Sequence, residues 1–554
     1  MKFSKIPLAQ TITQLCFAKD IKHIVICPGS RNAPLTISFT ENPYFKVYSI
    51  VDERSAAFFA MGIAQQTGHP AAVVCTSGSA VLNFYPAVAE AFYSDIPLLV
   101  ISADRPPHFI DIGDGQTIRQ ENVFQNHIIY SANLKVEEEH QIYNETQVNV
   151  AINSCIELKG PVHINAPFEE PLYQKVESLT VKPQHVPLKL DKNEITEDIS
   201  DYADIWNQSK RKLVLVGVLA PGSIETKVIN QLAEDESILV LTETTSNLHH
   251  KRFVCSIDKL IASFTDEDFK AFQPELLITF GGMVISKKIK ALLRRYPPKY
   301  HWHIDEKKAY DTYFILNKHF KLSPNAFFKM FLAKTNPVKS TYQDIWIQKK
   351  QFREQKHDAF LKNASFSDLK VFEYLFRNLP GNCILQLSNS ATVRYAQLFT
   401  IDKSIAVFCN RGTSGIDGST STSIGNAVVS ETPVTLITGD LSFFYDTNGL
   451  WNNYIPDSFR VILVNNSGGG IFRILPGEKD SQNFDKFFET VHDLSARQLC
   501  EMHHFDYIST REEKNLRELL ENFFSESNKP RLLEIFTPRQ VNDKVLMDYF
   551  RQIS

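Results

Sequence analysis

No apolar run in this chain approaches the roughly 20 residues needed to cross a bilayer, and the opening "MKFSKIPLAQTITQLCFAKD" lacks the apolar core of a secretory signal. A soluble, cytoplasmic protein with no membrane partner is the expectation. An excess of either charge is also missing: 59 basic and 63 acidic residues leave a net charge of -4. No overall field therefore advertises nucleic acid as a partner, and any basic site must be local. The eight cysteines include no C-x-x-C pair, so buried, reduced thiols are expected rather than disulfides or a metal site. There is no solenoid period and no low-complexity tract. After the first strand-like run stands "CPGSRN" where a dinucleotide-binding fold would carry G-x-G-x-x-G, which argues against a nucleotide-binding redox or regulatory protein.

What the chain does have is apolar substance: 43% hydrophobic and 11% aromatic residues over 554 positions. At about 150 residues per domain that is enough for about three to four packed units. In the first 180 residues the runs "HIVIC", "KVYSIV", "AAVVCTS" and "PLLVISA" alternate with helix-patterned stretches such as "SAAFFAMGIAQQ". Strands apolar on both faces belong in a parallel sheet covered by helices on each side. A proline- and charge-rich stretch at 176–198 reads as a linker. A second unit follows, with "KLVLVGV", "SILVLTE", "LLITFGG" and "YHWHIDE", and after the polar stretch "AKTNPVKSTYQD" comes a third, with "CILQLS", "SIAVFC", "PVTLITGD", "RVILVNN" and "RLLEIF". The expected fold is α/β: three doubly wound parallel-sheet domains over 1–183, 184–340 and 341–554.

Ligands of such sheets collect beyond the carboxyl ends of the strands. Two ends in the third unit stand out: "TGDLS", with Asp440, and "VNNSGGGIF", with Asn465 and Asn466, the latter 26 positions after Asp440. A strand-helix-strand crossover takes about 30 residues, so the two ends can be neighbours. Taken singly, Asp440 reads as a helix cap and "NNSGGG" as a turn. Together, a carboxylate, a side-chain amide oxygen and a backbone carbonyl make a hard oxygen site suited to Mg2+. In the first unit, "VYSIV" runs into Asp52-Glu53-Arg54, which places Glu53 at a strand's carboxyl end. Acidic residues there also favour a helix N-terminus by attraction to its dipole.

A Gly-Asp pair followed about 26 residues later by paired asparagines resembles the metal and diphosphate motif of thiamine diphosphate enzymes, with "GDL" here in place of the more usual "GDG". The stretches "CPGSRNAPL", "DERSAAFFAMGIA", "TSGSAVLNFYPAVAEA", "SADRPP", "GQTIRQ", "NSATVR", "NRGTSGIDGSTSTSIG", "GDLSFFYD" and "NNSGGGIF" further resemble one family within that class, the 2-succinyl-5-enolpyruvyl-6-hydroxy-3-cyclohexene-1-carboxylate synthases of menaquinone biosynthesis. The resemblance covers both outer units and is thinner in the middle one. It implies decarboxylation of 2-oxoglutarate and 1,4-addition of the succinyl carbanion to isochorismate, with thiamine diphosphate and Mg2+ (or Mn2+) as cofactors. It also implies a homodimer or homotetramer, with the cofactor between the first domain of one subunit and the third domain of another.

By the same resemblance, Glu53 faces the aminopyrimidine ring and Asp440, Asn466 and Gly468 hold the metal. Ser390, Arg411, Ser414, Ile416, Leu441 and Ser442 complete the cofactor site. Ile416 props the cofactor in its bent shape, and the Ser414 carbonyl accepts from its amino group. Ser30, Arg31, Arg105, Gln116 and Arg394 contact substrate, with Arg31 and Arg394 counted as catalytic beside Glu53. Ile471, Phe472 and Leu475 line the pocket. In "SKKIKALLRR" the basic pair is Lys287 and Lys288, with Arg294 and Arg295 as the alternative. The arginines suit two dicarboxylate substrates, because a guanidinium grips a carboxylate with two parallel hydrogen bonds. The "HH" pairs at 249 and 503 and the alternating His301 and His303 match no metal spacing and read as structural. The rival reading within the class is another 2-oxo acid decarboxylase or an acetolactate synthase-like carboligase.

Overall fold

The computed structural model describes residues 2–188, 198–474 and 481–554. Among them run three parallel sheets, one per unit. The first has spatial order Lys46–Ser49, His23–Ile26, Ala71–Cys75, Leu98–Asp104, Val162–Pro167, Tyr130–Asn133. The second runs Ile238–Leu241, Lys212–Val216, Leu276–Phe280, Tyr300–Ile304, Lys318–Phe320, and the third Ala406–Cys409, Ile384–Leu387, Val434–Gly439, Arg460–Asn465, Arg531–Phe536, Asp506–Thr510. Helices cover both faces; one apolar cluster is shared by a side of each outer sheet, and four others fill the remaining sides of the three sheets. The expected fold class is borne out.

The apolar-run reading finds the central strands and misses several outer ones. Val162–Pro167 escapes it because His163 and Asn165 interrupt the pattern, yet both are buried: Ser102 Oγ lies 2.7 Å from His163 Nε2 and donates to Asn165 Oδ1 at 2.8 Å. A hydrogen-bonded polar pair inside a core carries no hydrophobic signal. Tyr130–Asn133 is a partly exposed edge strand and Asp506–Thr510 another. The stretch read as a linker is tied to the first unit over its described part. Lys175–Val176 pairs antiparallel with Phe3–Ser4, Thr180 N donates to Gln10 Oε1 at 2.8 Å, and Val186 N donates to Asn149 Oδ1 at 2.9 Å. All eight cysteines are free and all but Cys255 are buried; burial pushes the Cys16 and Cys409 thiols up to about 12.

The 22-residue helix Tyr342–Asn363 joins the second and third units. Its first turns put Tyr342 and Trp346 into the middle core, while His357 Nδ1 meets Tyr549 Oη at 2.8 Å in the third. First and third units meet through helix Glu53–Thr67 laid on helix Ser419–Val429. The backbones approach closely enough that a Cβ on Gly62 would overlap the carbonyl oxygen of Thr422, and one on Gly425 that of Phe59. Only glycine permits this approach.

Candidate active site

The strands Val434–Gly439 and Arg460–Asn465 are parallel neighbours, with Gly439 opposite Val464. Asp440 and Asn466 therefore leave adjacent strand ends. Asp440 is not a helix cap: Gly439 takes the cap position, and Asp440 is the first residue of helix Asp440–Tyr445. Its Oδ2 instead accepts from the backbone N–H groups of Asn466 at 3.2 Å and Gly468 at 2.9 Å, across to the glycine-rich loop. Its Oδ1 accepts from Leu441 N at 2.7 Å. Asp440 is 3% exposed, and among the described residues its ion-pair partner is His492, whose Nε2 lies 3.4 Å from Oδ2.

Asn466 is the other half. Its Nδ2 donates to Asp368 Oδ2 at 2.8 Å, while its Oδ1 is buried without a hydrogen-bond partner. A buried amide oxygen left unpaired costs roughly 1–3 kcal/mol. An orphaned hard oxygen beside a buried carboxylate fits a Mg2+ or Mn2+ ion, which takes oxygen donors of this kind. Asp368 belongs to the same cluster: Thr537 Oγ1 donates to its Oδ1 at 2.6 Å. Burial, opposed by these hydrogen bonds and reinforced by the Asp440 charge, raises its carboxyl to about 6.

The loop before helix Ser419–Val429 carries Arg411, Ser414 and Ile416. Ile416 is 38% exposed, so ordinary core packing does not account for it. Its carbonyl accepts from Ser442 Oγ at 2.7 Å. Ser390 and Ser414 both have positive φ, 67° and 63°, as do Gln116 and Ser467. Backbone strain of this kind collects at functional sites. Two residues that the motif reading passed over hold the loop. Asn389 Nδ2 donates to the carbonyls of Asn410 and Gly415, both at 2.7 Å, while its Oδ1 accepts from Arg411 Nη1 at 2.7 Å. Glu90, 1% exposed, reaches over from the first unit to accept from Gly412 N and Thr413 N, each at 2.6 Å, and from Thr413 Oγ1 at 2.8 Å.

Glu53 opens helix Glu53–Thr67, with Asp52 as the cap accepting from Ser55 N at 3.2 Å. The cap function thus falls to Asp52 and leaves Glu53 to a long contact from Asn83 Nδ2 at 3.4 Å. The described hydrogen-bond and ion-pair partners of Asp440 all come from its own unit.

The arginines fall into two pairs. Arg31 is 5% exposed and donates to Phe168 O at 2.9 Å; burial, with the nearby Arg105 charge, lowers its pKa. Arg105 pairs with Asp114 at 3.3 Å. Both leave a buried Nε unpartnered. Ser30 and Gln116 are exposed at the same strand ends, with the Gln116 backbone packed against Gly78. Arg394 and Arg411 form the second pair, and burial plus the Arg411 charge lowers Arg394. In the middle unit, Lys287 and Lys288 open helix Lys287–Arg295 on its exposed side, Lys288 lying 3.9 Å over the Phe550 ring. Arg294 donates to Thr312 O at 2.9 Å and Arg295 pairs with Asp266 at 3.3 Å. Lys290, not among the expected residues, shares a cavity of about 440 Å³ with Arg411. Ile471 and Phe472 begin the short helix Ile471–Ile474 beside the glycine run; Leu475 lies outside the described residues.

Comparison with known proteins narrows this arrangement. The description "Thiamine pyrophosphate enzyme, N-terminal TPP binding domain" matches residues 6–132, and "Middle domain of thiamine pyrophosphate" matches 185–387. Three doubly wound sheets with these matches define a thiamine pyrophosphate enzyme. Proteins named 2-succinyl-5-enolpyruvyl-6-hydroxy-3-cyclohexene-1-carboxylate synthase are similar from end to end. That of Flavobacterium johnsoniae is 56% identical over 100% of both chains, and that of Christiangramia forsetii 54% identical over 99% of both. That of Porphyromonas gingivalis is 37% identical over 97% of this chain and 95% of its own. The chain belongs to the 2-succinyl-5-enolpyruvyl-6-hydroxy-3-cyclohexene-1-carboxylate synthase family, as its motifs led one to expect. It is an enzyme dependent on thiamine diphosphate.

Proposed function

We propose that the protein condenses 2-oxoglutarate with isochorismate, with loss of CO2, to give 2-succinyl-5-enolpyruvyl-6-hydroxy-3-cyclohexene-1-carboxylate for menaquinone biosynthesis. The observation that carries the cofactor assignment is the pairing of buried Asp440 with the unpartnered Oδ1 of Asn466 on adjacent strand ends. In this reading Asp440, Asn466 and the Gly468 carbonyl hold Mg2+ (or Mn2+), which offsets the negative charge that a diphosphate would otherwise meet. Ser390, Arg411, Ser414, Ile416, Leu441 and Ser442 shape the rest of the cofactor site. When bound, thiamine diphosphate supplies a carbon nucleophile and an electron sink.

The chain's own residues do the remainder. Glu53, freed from capping by Asp52, holds a proton against the aminopyrimidine ring nitrogen and so controls the ring's tautomer. Arg31 and Arg105 bind one end of the substrate site with Ser30 and Gln116. Arg394 grips from the other side, with a cation of the middle unit, Lys287 or Lys288 by motif and Lys290 by proximity to Arg411. Ile471, Phe472 and Leu475 exclude water. The family resemblance supports a homodimer or homotetramer, with the cofactor between the first domain of one subunit and the third domain of another. Among the described residues no helix is long and apolar enough to cross a membrane, which agrees with a cytoplasmic location.

The test is turnover with 2-oxoglutarate, isochorismate, thiamine diphosphate and Mg2+, compared between wild type and Glu53→Gln. The variant should lose at least 100-fold in rate, on the order of a general acid–base contribution, while still binding cofactor. Full activity in the variant would refute the role of Glu53. Consumption of 2-oxoglutarate at full rate without isochorismate would favour a simple decarboxylase.

A further inference from the structure

Behind the proposed metal ligands sits a second buried carboxylate that no motif picks out. Asp368 opens helix Asp368–Asn378 and is 3% exposed. Three elements converge on it. From the loop after strand Arg460–Asn465, Asn466 Nδ2 donates to its Oδ2 at 2.8 Å; from the end of strand Arg531–Phe536, Thr537 Oγ1 donates to its Oδ1 at 2.6 Å; and its own backbone N–H donates to Asn542 Oδ1 at 2.9 Å. Asn542 Nδ2 in turn donates to Thr537 Oγ1 at 3.4 Å, which leaves the threonine hydrogen free to point only at Asp368. The described partners of the Asp368 carboxylate include no lysine, arginine or histidine.

This arrangement orients Asn466. An amide can be flipped to exchange its oxygen and nitrogen, but a carboxylate accepts hydrogen bonds and cannot donate one. Asp368 therefore fixes which end of the Asn466 amide is the nitrogen, and turns Oδ1 away from itself, where it is buried and unpartnered.

We propose that Asp368 is a positioning residue of the metal site: it locks the amide of Asn466 with its oxygen offered to the ion. Residues in such outer positions orient the ligands of a metal and typically govern about 10- to 100-fold in affinity. The inference rests on the metal assignment made above.

The test is Mn2+ binding to the full-length enzyme with thiamine diphosphate, read by the electron paramagnetic resonance signal of free Mn2+, with no substrate present. Asp368→Ala should weaken Mn2+ binding about 10- to 100-fold. Asp368→Asn, which can still accept from Asn466 but lacks the charge, should weaken it less than Asp368→Ala. Thr537→Val, which removes only the brace on Asp368, should also fall between wild type and Asp368→Ala and guards against a misfolded Asp368 variant. Saturating metal should restore turnover in Thr537→Val and Asp368→Asn, because neither side chain touches substrate. Mn2+ affinity within twofold of wild type in both Asp368→Ala and Thr537→Val, with unfolding temperature of the metal-free protein preserved, would overturn the role of Asp368. Wild-type protein that binds no Mn2+ in the presence of thiamine diphosphate would overturn the metal site itself.

Discussion

The contact between helices Glu53–Thr67 and Ser419–Val429 permits a sharp prediction. Gly62 and Gly425 each lie against a carbonyl oxygen of the opposite helix, and a Cβ on either would stand well inside 3.0 Å of it. The obstacle is backbone in both cases, so no side chain can swing aside. Gly62→Ala must push the helices apart by on the order of 1 Å, and overpacking of this kind costs about 1–3 kcal/mol. The displacement reaches the site, because the same helix start carries Glu53 and is tied to the third unit. There Arg54 Nη2 donates to Tyr445 O at 2.9 Å and Asn448 Nδ2 donates to Asp52 Oδ2 at 2.6 Å. The assay is urea unfolding of wild type, Gly62→Ala, Gly425→Ala and the double variant, with turnover measured alongside. Each single variant should lose about 1–3 kcal/mol, and the double variant clearly less than the sum, since helices already separated admit the second methyl more cheaply. Single variants within 0.5 kcal/mol of wild type, or strictly additive losses, would refute the close-packing argument.

Two further predictions rest on single buried groups. Glu90→Gln turns one accepting oxygen into a donor facing N–H groups of Gly412 or Thr413, and should cost about 2 kcal/mol in unfolding free energy and weaken thiamine diphosphate binding, measured by fluorescence titration; unchanged cofactor affinity would sever Glu90 from the loop's function. His163 is fully buried, and burial lowers its pKa to about 3. The unfolded imidazole takes up a proton below about 6.5 while the folded one stays neutral, so the stability it confers above that pH is lost as pH falls toward 3. At pH 5 the loss is about 2 kcal/mol; His163→Gln should lose less between pH 7 and 5 than wild type by about that amount, and parallel pH profiles would contradict the assignment.

Legibility in the sequence followed the length scale of the interaction. Central strands announce themselves because both faces are apolar, whereas Val162–Pro167 hides behind His163 and Asn165, whose hydrogen-bond partners Ser102, Asp104 and Gln120 lie about 45 to 63 positions away in the chain. Asp440 and Asn466 could be paired because one crossover separates them. Glu90 lies within a quoted motif, but its target, the N–H groups of Gly412 and Thr413, is more than 300 positions away. Asp368, in "SFSDLK", looks like any acidic residue at a helix start, and His492 is a lone histidine in a polar loop until the fold lays it beside Asp440.

By itself the sequence determined the fold class, the family and the motif residues, because apolar periodicity and short strand-end motifs are written in consecutive positions. Tertiary structure alone decided which carboxylates act on what. Asp52 rather than Glu53 became the cap, Gly439 took that position from Asp440, and Asp368 settled which way the Asn466 amide faces. A hydrogen bond depends on which groups are brought within about 3 Å of one another, and for residues far apart in the chain only the packed fold specifies that.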